Sequence, residues 1–159
     1  SPYLAFDNRC VFDQSGHAPS VSQSQTLRPP DILEEVCFLL GPEISRCLRG
    51  AWECVVDEAR ADGIAQGYQS LREALRIFCD TSGGRLGSEK EDTFVERAKR
   101  ALRKLKSDWP EQRREDEAKS LRKAYSRYSA VALHGQQKDA DTLAADLNWF
   151  CEIIHSWLN

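Results

Sequence analysis

Residues 139–158 read DADTLAADLNWFCEIIHSWL. Leu143, Leu147, Phe150, Ile154 and Leu158 recur at steps of three and four, the period of one face of an α-helix. Trp149, Ile153 and Trp157 form a second stripe at spacing four. Two apolar stripes on one helix fit two settings equally well. The helix is central in a bundle, or one stripe faces a partner. Asp139 or Asp141 is a natural start, because an aspartate at the N-cap accepts from an otherwise orphaned backbone N–H.

Working back along the chain, the same period dominates. Residues 120–135, SLRKAYSRYSAVALHG, put Leu121, Ala124, Tyr125, Tyr128 and Val131 or Ala132 on one side, and Gly135 is a natural C-cap. Upstream, Glu111 to Lys119 is a strongly charged lead-in, and Phe94, Ala98, Ala101, Leu102 and Leu105 mark a helix ending near Trp109-Pro110. Ser88 and Glu91 have capping-box spacing ahead of it. Leu71, Leu75 and Phe78 define a helix near Tyr68–Cys79. Ile44, Cys47, Leu48, Trp52, Val55, Val56 and Ala59 define another, running up to Gly63. Ile32, Leu33, Val36, Cys37, Phe38, Leu39 and Leu40 make a strongly apolar set, which predicts a deeply buried first helix capped by Asp31 and broken by Gly41-Pro42.

Residues 1–30 differ. Tyr3 to Phe12 alternates weakly, as one short strand would, and Gln14 to Gln25 has a linker composition. The fold predicted is all-α: a bundle of five to seven helices over residues 31–159, behind an extended N-terminal arm, residues 1–30.

The 159 residues are 41% apolar and 30% charged, enough for a core and unlike a disordered or collagenous chain. No apolar run approaches the roughly 20 residues that cross a bilayer, so no membrane partner is expected. The start lacks the basic and apolar regions of a signal peptide. The six cysteines never form a CxxC pair and most lie within helical patterns. That usage predicts reduced, buried thiols and a cytoplasmic, intracellular setting. The three histidines have no ligand spacing to a cysteine, so zinc is not expected, and the expectation is of no metal and no cofactor. The sequence has no methionine, as a processed chain or an excised piece would.

The net charge of −3 hides an asymmetry. Between Arg97 and Arg127 stand 12 Lys and Arg against 5 Asp and Glu, a local balance of +7, while the rest of the chain balances at −10. A basic segment in an acidic chain points to an anionic partner such as RNA or DNA, with Arg97, Arg100, Arg103, Lys104, Arg122 and Lys123 tracking the phosphates. A solvated helical face of mixed charge explains the same pattern.

Arg127 and His134 are seven apart, nearly two helical turns, so both leave one face of a helix roughly 10 Å apart. A guanidinium can grip a phosphate as a fork, and an imidazole can move a proton near neutral pH. The plainer account is a histidine favoured by the helix C-terminal dipole and a solvated arginine. His17 lies in the linker, and His155 reads as a surface or interface residue. No Ser-His-Asp or HExxH arrangement is present. The glycine-rich stretch 82–87 lacks the GK[ST] of a P-loop.

Tyr125-Ser126-Arg127, six residues, His134-Gly135, a polar gap and a terminal amphipathic helix together resemble the HEPN superfamily, above all its ApeA-like branch of prokaryotic defence proteins. Glu73-Ala74-Leu75 and Thr93 to Ala98 are similar to that family's earlier bundle helices. The resemblance spans roughly residues 65–159, or 35–159 at its widest. It implies an all-α homodimer with the Arg/His motifs meeting at the interface, acting as a metal-independent endoribonuclease in antiviral defence or toxin biology. Arg127 would bind and polarise the scissile phosphate, and His134 would serve as general acid or base or orient the 2′-hydroxyl. Ser129 would assist by hydrogen bonding, and the products would be a 2′,3′-cyclic phosphate and a 5′-hydroxyl. One departure stands out: Tyr128 follows the arginine where family members often carry a polar residue, and the four-residue register back from His134 falls on Ser129. The alternative is therefore a non-catalytic interaction or dimerisation module, a fragment of a larger protein, that uses Trp149, Ile153 and Trp157 to hold a protein partner, a fused domain or its own copy.

Overall fold

A computed structural model describes residues 30–57, 62–82 and 93–159. The residues of the expected strand, the linker, His17, the glycine-rich stretch and the Ser88/Glu91 box lie outside the described residues, apart from Ser82, which ends a helix. Among the described residues the fold is an all-α bundle of six helices: α1 (Asp31–Leu40), α2 (Pro42–Val56), α3 (Gly63–Ser82), α4 (Phe94–Leu105), α5 (Glu111–His134) and α6 (Ala140–Leu158).

α1 and α2 are separated by Gly41 alone, whose φ of +86° is a conformation that glycine adopts without strain. Pro42 follows at the first position of α2, where its missing N–H costs nothing. The Ser45 hydroxyl closes the corner, 2.7 Å from the Cys37 carbonyl and 2.6 Å from that of Gly41. Deep burial of α1 is not what the structure has. Leu33, Val36 and Cys37 are buried, but Phe38 is 87% exposed and Leu39 is exposed too. An apolar run gives no phase, so composition alone could not tell a two-sided helix from a one-sided one.

α3 is the hub. It packs on α2, α4, α5 and α6, and Tyr68, Leu71, Ala74, Leu75, Phe78 and Cys79 on it are all buried. Gly67 permits the closest approach. A Cβ there would lie 2.5 Å from Leu143 Cδ2 and 3.1 Å from Cys54 Cβ, between α6 and α2. Gly67→Ala is therefore expected to destabilise the bundle by about 1–3 kcal/mol, against a helix-propensity gain of only about 1. Urea unfolding checks this, and a midpoint equal to or above the native one would refute the tight contact.

α4 starts later than the Ser88/Glu91 spacing suggests. Thr93 is its N-cap, and the threonine hydroxyl accepts from the Glu96 N–H at 3.2 Å. The charged stretch 111–119 is not a lead-in but the first part of α5, with Pro110 at the N-cap. Arg114 explains how it is held. Its Nη1 donates to the carbonyls of Lys106 and Ser107, both at 3.1 Å, and of Trp109 at 2.5 Å, satisfying the end of α4 and the turn. Arg113 stacks on the Trp109 ring, 3.7 Å from its centroid. α5 closes on Gly135 at φ +73°, and α6 opens on Asp139, which accepts from the Thr142 N–H at 2.8 Å.

Leu143, Leu147, Phe150 and Ile154 are buried in the common core, as is Trp157, whose ring centroid lies 6.1 Å from that of Phe78. Of the two settings the twin stripes allow, Trp157 belongs to the interior one. The described cysteines are all unbridged: Cys37, Cys54, Cys79 and Cys151 are buried and Cys47 is half-buried. No described helix is long and apolar enough to cross a membrane.

Candidate functional site

α5 carries Arg127 and His134 on one line, as their spacing requires. His134 stands in the last turn, exposed, and no hydrogen bond or ion pair engages it among the described residues. Arg127 is different. Its side chain is 39% exposed, and it forms an ion pair with Asp146 of α6. Nε lies 3.1 Å and Nη2 3.0 Å from the same oxygen, Asp146 Oδ1.

Asp146 is one of two buried acidic residues among those described, 9% exposed. Its other oxygen, Oδ2, accepts from the Tyr68 hydroxyl at 2.5 Å. α3, α5 and α6 thus each contribute one polar group to a single knot. Burial, and then the bond to the carboxylate, push the Tyr68 phenol well above its usual range, so it stays a donor at neutral pH. Tyr128 completes the cluster. Its ring lies 5.9 Å from that of Tyr68, and its buried hydroxyl sits beside the guanidinium with no hydrogen bond of good geometry. Burial also raises the Tyr128 phenol. The guanidinium carbon lies 5.5 Å from the centroid of the Tyr128 ring and 5.9 Å from that of Trp149.

Ser129 is not part of this group. Two residues along a helix is a turn of about 200°, and its hydroxyl instead accepts from Arg72 Nε at 2.9 Å. Arg72 also lies over the Tyr125 ring, which stacks on Phe94 at 4.5 Å. Ser129 therefore belongs to a clamp joining α3, α4 and α5. The structure brings Arg127 and His134 to one face and turns Ser129 away from both.

The basic residues divide. Arg103, Lys104, Arg122 and Lys123 are exposed. Arg97 is half-buried and pairs with Asp80 at 3.5 Å, and Arg100 is half-buried on the same helix. Arg103 and Lys104 also suit the C-terminal end of α4, where cations favour the dipole. Trp149 and Ile153 are half-buried, while Trp157 lies inside and offers nothing to a partner. His155 Nε2 lies 2.6 Å from Glu35 Oε2 of α1. No group of three potential metal ligands occurs among the described residues.

Asp146 and Tyr68 are the members that sequence reading missed. A signal was present: Asp146 shares a face with Leu143 and Phe150, three before and four after it, so an acid stands on an otherwise apolar arc. An acid in that place needs a buried partner. Compared with known proteins, the chain matches no family model, no curated protein and no solved structure.

Proposed function

We propose that the helical unit is a metal-independent endoribonuclease of HEPN type that works as a homodimer. One observation carries the reading: a half-exposed, oriented guanidinium stands on the same line of α5 as an exposed, unengaged imidazole. Arg127 would hold the scissile phosphate. The 2′-oxygen, losing its proton to an imidazole, would attack phosphorus, and the bond to the 5′-oxygen would break as that oxygen takes a proton. One chain offers one such imidazole, and a second copy would supply the other. The exposed Arg103, Lys104, Arg122 and Lys123 would add attraction for the RNA backbone. The HEPN resemblance supports the absence of a metal requirement and the defence or toxin setting.

A second reading, a non-catalytic interaction module, is favoured by Asp146, which already neutralises Arg127, and by the engagement of Ser129 with Arg72. A labelled mixed-sequence RNA in EDTA separates the two. The native chain is expected to leave 2′,3′-cyclic phosphate ends, and His134→Ala to lose about 10²- to 10⁴-fold in rate. No cleavage by a folded native chain, or an unchanged rate in His134→Ala, overturns the nuclease. The first result moves the weight to the interaction module.

A further inference from the structure

We propose that Asp146, itself fixed by Tyr68, is a positioning residue that aims the Arg127 guanidinium outward at an anionic group. The inference rests on the reading of Arg127 as an anion-binding residue. The geometry is directional. Nε and Nη2 face inward to a single oxygen, Asp146 Oδ1, so Nη1 and the fork between Nη1 and Nη2 are left for the exposed side. That fork is the edge that grips phosphate or sulfate with two parallel hydrogen bonds. The carboxylate cannot swing, because Oδ2 accepts from the Tyr68 hydroxyl on α3. The rings of Tyr128 and Trp149 flank the guanidinium.

Packing alone does not call for this knot. Taking a carboxylate out of water is costly, and an apolar side chain at position 146 would suit its neighbours Leu143 and Phe150 at least as well. What the carboxylate adds is direction. A free arginine side chain carries much rotamer entropy, and a held one spends little on meeting its ligand. The negative charge also weakens the attraction of Arg127 for an anion. Asp146 should therefore appear in the orientation and turnover of a bound phosphate rather than in raw affinity.

The test uses the full 159-residue chain, Asp146→Asn and Tyr68→Phe, with circular dichroism as the check of folding. The side-chain Nε–H signal of Arg127 is identified by its loss in Arg127→Lys. In the native chain it should be resolved, slow to exchange and shifted by added sulfate. In Asp146→Asn it should collapse into the solvent-exposed arginine signals. On labelled RNA the same variant should lose about tenfold or more in kcat at unchanged KM. Tyr68→Phe keeps the charge and loosens the carboxylate, so it should broaden the signal and lower kcat less, and it decides the matter where Asp146→Asn does not fold. A folded Asp146→Asn chain that keeps the resolved signal or the native kcat overturns the inference, as does a native signal that sulfate leaves unmoved. Failure of the nuclease reading looks different. The native chain would then cleave no RNA while its Arg127 signal still responds to sulfate and still depends on Asp146.

Discussion

Trp157→Ala is expected to destabilise the bundle by about 3–5 kcal/mol, the cost of removing a large aromatic side chain from a packed interior. Trp157 is 2% exposed and its ring meets that of Phe78 between the end of α6 and α3. The melting temperature should fall by about 10 °C for a chain of this size. A partner-facing tryptophan would behave in the opposite way, leaving the melting temperature in place and reducing self-association. The indole Nε1–H finds no hydrogen-bond partner among the described residues. Trp157→Phe removes that unsatisfied donor while keeping most of the apolar area, so it should cost only about 1 kcal/mol. Trp149→Ala should cost less than Trp157→Ala, because Trp149 is half-buried and its loss removes mainly the face beside Arg127. Thermal unfolding of the three variants checks the order, and equal melting temperatures would contradict the interior placement of Trp157.

That contrast shows what the sequence could and could not reveal. Helices with a clear phase were legible: the Leu143/Leu147/Phe150/Ile154 stripe is the buried face of α6, and Gly135 and Asp139 cap where their chemistry says they should. Two stripes on one helix were ambiguous, because spacing reports that residues share a face and not what covers it. α1 failed for the same reason, the apolar stretch 36–40 hiding the exposure of Phe38 and Leu39. Spacing put Arg127 and His134 on one face. It marked Asp146 only as an acid on an apolar arc and could not name its partners, because Asp146 lies 19 residues on from Arg127 and 78 from Tyr68 and meets them only where α3, α5 and α6 converge. Ser129 is the instructive miss. A helix offset of two already argues against a role beside Arg127, and Arg72, from a different helix, takes up its hydroxyl.

The buried protonated groups make the bundle sensitive to alkali, and this effect is expected to exceed any single substitution. Burial, with the neighbouring Asp80 carboxylate, pushes the Cys79 thiol up to about 12 from 9.0. Burial, with smaller contributions from Cys37 and Glu152, pushes Cys151 up to about 12. The folded chain keeps these protons while the unfolded chain releases them above pH 9.0, so alkali favours unfolding. The stability tied to these thiols is fully present below pH 9.0 and is lost as pH rises towards about 12. Each thiol loses about 1.4 kcal/mol per pH unit in that window, so two units cost the pair about 5 kcal/mol. Tyr68 and Tyr128, both raised by burial first, add to the loss from pH 10.0 upward. Domains of this kind are stable by about 5–15 kcal/mol in all, so the loss is a large share of the total. Urea midpoints should stay level to about pH 8.5 and fall steeply beyond it. Thiolate and tyrosinate absorbance should then rise together with the loss of helix, in one cooperative step. Thiols and phenols that ionise at their ordinary pH values while the helices persist would show that these groups are not sealed in the core.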